Sequence, residues 1–192
     1  MALALRDNDR HSYGDYLHWP DEARHELIGG LAYAMAPAPG VAHQEVLLAI
    51  ARQAAAALER SPCRVFVAPV DVRLPMADEA DEDVDTVVQP DILAVCDPAK
   101  IDERGIRGAP DWIVEVLSPA TAGHDQVLKR ALYARHRVHE YWLVHPADRV
   151  LTVHRLDGTA FAMPVVQELL GETQVAALPG VVIHWESVTR HL

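Results

Sequence analysis

Asp91, Glu115 and Lys129 are three side chains whose types and settings could do chemistry together. Asp91 follows Pro90 and heads the apolar run Ile-Leu-Ala-Val-Cys96. Glu115 sits inside Asp111-Trp-Ile-Val-Glu115-Val-Leu117. On a strand, residues 113, 115 and 117 share one face and 112, 114 and 116 the other, and both faces are apolar apart from Glu115. An unpaired charge buried there costs several kcal/mol, so the carboxylate needs a cation, a proton or a metal as partner. Lys129 is one of only two lysines in a chain with fifteen arginines. A lysine here offers a small amine that can lose its proton, where arginine offers a fixed fork. Two acids and an amine around one point are the parts for metal-assisted hydrolysis of a phosphate ester. Asp91 and Glu115 would hold Mg²⁺ or Mn²⁺, hard cations that prefer oxygen ligands. Lys129 would orient the attacking water or balance charge in the transition state. Plainer readings stand beside these. Asp91 could be a turn residue after proline. Glu115 could be satisfied by an arginine or by backbone donors. Lys129 could form a surface ion pair with Asp125, one helical turn away.

These residues need elements to position them. His11 to Glu22 reads as a short helix with Tyr13, Tyr16, Leu17 and Trp19 as its apolar residues, ended by Pro20. His25 to Met35 reads as a β-hairpin around Gly29-Gly30. Pro37, Pro39 and Gly40 form a loop. Val41 to Arg60 is the clearest helix, with apolar positions at Val46, Leu47, Ile50, Ala54, Ala57 and Leu58, and Ser61-Pro62 closes it. Arg64 to Leu74 is rich in β-formers, with Pro69 as a kink or edge position. Asp78 to Asp85 reads as a solvated acidic hairpin tip; it lacks the glycine and glutamate spacing of a calcium loop.

Core strands follow near 88–96 and 111–117, joined by a charged connection from Pro98 to Pro110. Ser118 suits a helix N-cap with Pro119 at the first helical position. The helix from about 119 to 136 is expected to bury Val127, Leu128, Ala131 and Leu132, with Asp125 and Lys129 on another face. Glu140 to Val144 and Val150 to Arg155 alternate like a hairpin, and strand-like pieces recur near 160–167 and 181–185. The expectation is one domain over residues 1–192, α/β or α+β, with a central mixed sheet flanked by helices.

Composition sets bounds on function. Half the residues are hydrophobic and 23% are charged, as in an ordinary globular protein. No apolar run reaches the length of a membrane helix, and no basic segment followed by an apolar one suggests a secretion signal. Cys63 and Cys96 lie in apolar surroundings and read as buried thiols in a reducing cytoplasm. The net charge of −11 argues against a general nucleic-acid binder. The charge is uneven, however: Asp71 to Asp91 carries eight acids and one base, while Lys100 to Arg155 carries nine bases and seven acids. None of the eleven histidines falls in a zinc-ligand spacing, and His136 and His139 read as helix-end residues.

In combination, these motifs resemble a known family. The segments are Val-Gln-Pro90-Asp91, Asp111-Trp-Ile-Val-Glu115-Val-Leu-Ser118-Pro119-Ala-Thr121, Asp125-xxx-Lys129-xxx-Tyr133 and His139-Glu140-Tyr141-Trp142. With Glu26-Leu27-Ile28-x-Gly30, His43 and Leu178-Pro179-Gly180, they resemble the Uma-type putative endonucleases, a bacterial branch of the PD-(D/E)XK restriction-endonuclease-like superfamily. The resemblance implies a restriction-endonuclease-like core with an N-terminal hairpin and a C-terminal β extension, a divalent metal (Mg²⁺ or Mn²⁺), and a catalytic Asp91, Glu115 and Lys129 set. In the wider superfamily the lysine lies two residues after the strand acid, but position 117 here is leucine and the lysine has moved to the next helix as Lys129. Gly29 stands where the family often has an acid. Glu26, His43 and Asp125 are secondary candidates.

The expected activity is hydrolysis of phosphodiester bonds in DNA by a cytoplasmic, metal-dependent endonuclease working as a homo-oligomer, a dimer by preference, without membrane contact. Two other classes remain open. One is a catalytically silent nuclease-like module that binds DNA or a protein. The other is a phosphoesterase for a small substrate, which suits the net charge of −11 better.

Overall fold

The computed structural model describes residues 9–19, 24–35, 40–118, 123–190 and 192. The expected roles of Pro20, Pro37, Pro39, Pro119 and Thr121 fall outside these residues. The chain opens with α1 (Tyr13–Tyr16), shorter than the expected helix, and with the hairpin of β1 (His25–Ile28) and β2 (Leu31–Ala34). Gly29 and Gly30 both adopt positive φ, 56° and 78°, which a tight two-residue hairpin turn requires. Helix α2 (Val41–Ala57) buries Val46, Leu47, Ile50, Ala51 and Ala54. Of the expected apolar positions, Leu58 is buried and Ala57 is exposed.

The β-rich stretch after α2 divides into β3 (Arg64–Val67) and β4 (Val72–Arg73), with a cis Ala68-Pro69 bond between them. Then come β5 (Val87–Val88) and β6 (Ile92–Val95). The connection from Pro98 to Pro110 is not a plain loop: it contains a 3₁₀ turn and the hairpin β7 (Ile101–Asp102) and β8 (Gly105–Arg107). After β9 (Trp112–Val116), a π-helical stretch, His124–Lys129, runs directly into α3 (Arg130–Arg135). The expected N-cap role of Ser118 falls on residues outside those described; within them, Gly123 precedes the first turn. The chain continues through β10 (Glu140–His145), β11 (Val150–Asp157), β12 (Ala160–Phe161), β13 (Val165–Glu168), β14 (Glu172–Gln174), β15 (Val182–His184) and α4 (Trp185–Thr189).

The result is a mixed α+β fold. The larger sheet runs β12-β11-β10-β9-β6-β3, with β13 also on β11. Its strands are antiparallel except for β9 and β10, which are parallel and therefore need the helical crossover between them. The smaller sheet runs β2-β1-β5-β4-β8-β7, and β14 pairs with β15 separately. One face of the larger sheet (Ile92, Ala94, Trp112, Val114, Trp142, Val144) packs on α2 and on the C-terminal segment around Trp185. The other face (Leu93, Val95, Ile113, Tyr141, Leu143) packs on the crossover helix through Leu132 and Tyr133 and on the smaller sheet through Val72, Val88 and Ile106. No described helix is long and apolar enough to cross a membrane.

Two expectations about side chains are corrected here. Cys63 and Cys96 are joined by a disulfide. The antiparallel register that sets Arg64 opposite Val95 places 63 opposite 96 at the next step, which brings the two sulfurs together. The thiol-based argument for a reducing compartment therefore falls away. The acidic segment is not a freely solvated tip either. Asp81 accepts from Arg73 and Arg107, and Arg73, only 1% exposed on β4, also meets Asp102 at 2.7 Å and lies over the Tyr13 ring. A buried guanidinium thus gathers α1, the acidic turn and the β7–β8 hairpin.

Arg73 is buried, but the partners it would leave, Asp81 and Asp102, are part-exposed, so Arg73→Ala is expected to cost about 1–3 kcal/mol. Arg104 sits half-exposed, 3.7 Å from Asp81, and Arg104→Ala should cost under about 1 kcal/mol. Urea unfolding midpoints of the two variants check the contrast.

Candidate active site

Sheet register delivers the two acids to one place. The antiparallel pairing of β6 and β9 sets Ile92 opposite Val114, so one step further Asp91 stands opposite Glu115. The two touch: the Asp91 backbone N–H lies 3.4 Å from Glu115 Oε2, and Asp91 Oδ2 accepts from the Val116 N–H at 2.8 Å. His43, near the start of α2, sets Nε2 3.1 Å from the same Oδ2. Glu115 is 4% exposed, and its Oε1 accepts from Lys129 Nζ at 3.0 Å and from the Tyr133 hydroxyl at 3.1 Å.

Lys129 is the meeting point. Its ammonium lies 2.9 Å from Glu26 Oε1, 3.0 Å from Glu115 Oε1 and 3.4 Å from Asp125 Oδ1. An ammonium has three N–H donors, and here each has a carboxylate. All four side chains are about 5% exposed. Glu26 arrives from β1, where its Oε1 also accepts from the Gln89 N–H at 2.9 Å. Asp125 is placed by the π-helical stretch, and its carbonyl accepts from the Tyr141 hydroxyl at 3.1 Å. π-wound segments recur where helices place functional groups.

The crossover helix keeps Leu132, and in part Leu128, inside as expected, but otherwise turns its charged face inward. Asp125, Lys129, Leu132 and Tyr133 are buried, while Val127 is 71% exposed and Ala131 lies at the surface. Asp125 and Lys129 do share a face, but it is the inward one. Hydrophobic periodicity rewards apolar residues, so it could not recognise a buried face made partly of charges.

With all groups ionised, Glu26, Glu115 and Asp125 carry three negative charges against the one positive charge of Lys129. The balance is −2, and Asp91 adds to it. Burial, opposed by Lys129 and reinforced by Asp125, Asp91 and Glu26, pushes the Glu115 carboxyl well above the ordinary carboxylate range. Burial works against the Lys129 charge, but Glu115, Glu26 and Asp125 outweigh it and hold the amine protonated well above its ordinary range. Burial and the same carboxylates push the Tyr133 and Tyr141 hydroxyls up, so both remain donors.

Asp91, Glu115, Asp125, Lys129 and His43 line one cavity of about 160 Å³, together with Arg24, Gln89 and Ser118. The donor set fits a hard divalent cation. Asp91 Oδ1 takes no hydrogen bond from a described residue, and Glu115 Oε2 takes only the long one from Asp91. No three His, Cys, Asp or Glu side chains are grouped as a ligand set among the described residues. The protein therefore offers two carboxylates and leaves the remaining positions to water and substrate, a common way of holding Mg²⁺. The negative balance of the pocket favours such an ion.

All six residues singled out in the sequence thus meet in one region. Sequence reasoning gave no role to Tyr133, although its spacing from Lys129 and Asp125 puts all three on one helix face. It also missed Gln89, whose amide joins Arg24, Tyr16 and Asp71; nothing in the local pattern marks that residue.

Comparison with known proteins identifies a family and a fold. A family model described as "Uma2: Putative restriction endonuclease" matches residues 13–186. No curated protein matches the sequence. A crystal structure from Anabaena variabilis ATCC 29413, described as "a putative nuclease belonging to DUF820", superposes with a TM-score of 0.73 at 18% identity. The alignment covers 93% of this chain and 97% of that one. At that identity the likeness concerns the fold.

The electrostatics predict opposite effects for two neighbours. Lys129→Met leaves three carboxylates without their cation and should cost about 3–5 kcal/mol. Glu115→Gln removes one excess charge and should stabilise by on the order of 1 kcal/mol, raising Tm by roughly 2–4 °C. Because folding raises the Glu115 pKa, the folded state holds the proton more tightly than the unfolded chain does. The wild type is thus destabilised as pH climbs above the ordinary carboxylate range, and Glu115→Gln escapes that loss. The two should converge in stability at acid pH, which thermal melts across pH will show.

Proposed function

This chain belongs to the Uma2 family of putative restriction endonucleases, and from that premise we propose that it is a Mg²⁺- or Mn²⁺-dependent endonuclease hydrolysing phosphodiester bonds in DNA. The observation that carries the reading is the convergence of Asp91 and Glu115 on one cavity beside the Lys129 ammonium. Asp91 and Glu115 hold the ion. When bound, it supplies Lewis acidity, drawing charge from the phosphate and easing loss of a proton from water.

The chain's own residues do the rest. The Val116 N–H and His43 fix one oxygen of Asp91 and leave the other without a hydrogen bond from a described residue. Tyr133 and Lys129 fix Oε1 of Glu115 and leave Oε2 only loosely held. Two-point restraint of this kind keeps a ligand set in place before substrate arrives. Lys129 has spent all three donors on carboxylates, so its first task is to hold Glu115 and Glu26 together against their repulsion. Its longest contact, 3.4 Å to Asp125, is the one it can exchange for the attacking water or a phosphate oxygen. Water adds to phosphorus, the opposite P–O bond breaks, and the leaving oxygen takes up a proton. A dimer would give an acidic chain a broader surface on which to hold a duplex.

Supercoiled plasmid incubated with Mg²⁺ at low salt tests the proposal. The wild type should produce nicked circles, and Asp91→Asn, nearly isosteric, should reduce the rate by 100-fold or more, on the order of the loss of a main electrostatic catalytic group. Plasmid that stays intact at high enzyme concentration would overturn it. A silent module would also show no heat of Mn²⁺ binding that depends on Glu115. The net charge of −11 favours a small-substrate phosphoesterase as second reading; hydrolysis of a small phosphodiester without nicking selects that one.

A further inference from the structure

A second cavity, of about 310 Å³, opens on the other flank of the helix that carries Lys129. Gln126 and Arg130 line it from the helix, and His145, Thr152 and His154 line it from β10 and β11. Sheet register sets its distance from the candidate active site. Leu143 lies opposite Glu115, and Thr152 lies opposite Leu143. Paired residues share a sheet face and neighbouring strands lie about 4.8 Å apart, so Thr152 stands about 10 Å from Glu115 on the same face.

Three observations favour an anion as the occupant. First, in a chain of net charge −11, no Asp or Glu is among the residues that line this cavity. Second, Arg130 is exposed and makes no hydrogen bond or ion pair with a described residue. Third, the His154 ring is 4% exposed and packed between Tyr141 and Phe161, and its Nδ1 is buried without a partner. Burial first, and Arg130 second, lower the pKa of this imidazole to about 4, so the ring is neutral near pH 7. With Nδ1 sealed, Nε2 is the nitrogen left to serve the cavity, and a neutral ring protonated there donates one hydrogen bond.

We infer that this cavity is a phosphate subsite for the nucleic-acid backbone, with Arg130 as the charged partner and His154, Thr152 and Gln126 as neutral donors. The subsite positions the strand and carries no base specificity. This inference rests on the nuclease reading, and its own test can fail separately.

Binding of a short DNA duplex without divalent metal, followed by fluorescence anisotropy across a salt series, measures the subsite. Arg130→Gln should weaken binding roughly tenfold, as expected for a lost charge-assisted hydrogen bond. It should also reduce the slope of log K against log salt by about 1, whereas Arg130→Lys should retain that slope. Inorganic phosphate titrated into the wild type should shift the His154 ring resonances, and in Arg130→Gln it should not. Unchanged affinity and slope in Arg130→Gln, or a His154 ring indifferent to phosphate, overturns the subsite. Normal nicking with an unchanged KM in Arg130→Gln removes the subsite and keeps the nuclease. Phosphate bound at His154 in a chain that never nicks plasmid removes the nuclease and keeps the anion site.

Discussion

The ammonium of Lys129, buried among Glu26, Glu115 and Asp125, is the interaction on which the rest of this structure depends. Its partners come from β1 in the smaller sheet, β9 in the larger sheet and the crossover helix. Three elements therefore meet at one charge. A buried cation with three anions is an expensive arrangement, because desolvation opposes every member and the carboxylates repel one another. Replacing such a cluster by well-packed apolar residues of similar volume is often neutral or stabilising. That the fold tolerates an excess of negative charge here, within apolar packing on both sides, is the pattern expected of a site kept for chemistry at some cost in stability.

The surrounding architecture serves this point. The β6–β9 ladder puts Asp91 across from Glu115, and β10, parallel to β9, requires the crossover that returns Lys129 over the same face. Tyr133 and Tyr141 close the site from the core side with hydroxyls held protonated. On the smaller sheet, Arg73 repeats the device with the same signs, a buried cation gathering Asp81 and Asp102 from two connections. One charge cluster organises the cavity; the other shapes the acidic segment that composition alone paints as solvent.

A net charge of −11 and a nucleic-acid substrate look opposed, and the distribution of charge eases the conflict. Part of the acid is drawn into ion pairs, three carboxylates on Lys129 in the site and two on Arg73 in the smaller sheet. The flank of the crossover helix that faces outward carries Arg130 over a cavity without acids. Phosphate binding depends on such local balance more than on the sum over the chain.

Much of the site was legible in the sequence. Glu115 stood out as a charge inside an apolar strand, Lys129 as a lysine in an arginine-rich chain, and the Gly29-Gly30 hairpin and α2 by their local patterns. These signals are local, and residue type and spacing carry them. Tertiary structure alone decided the rest. It set the register that pairs Asp91 with Glu115, the contact of Glu26 with Lys129, the bond between Cys63 and Cys96, and the inward turn of a helix face whose apolar Val127 points to solvent. The reason is physical: a charged side chain can be buried only where distant segments bring its counter-charges, and no window of neighbouring residues contains those segments.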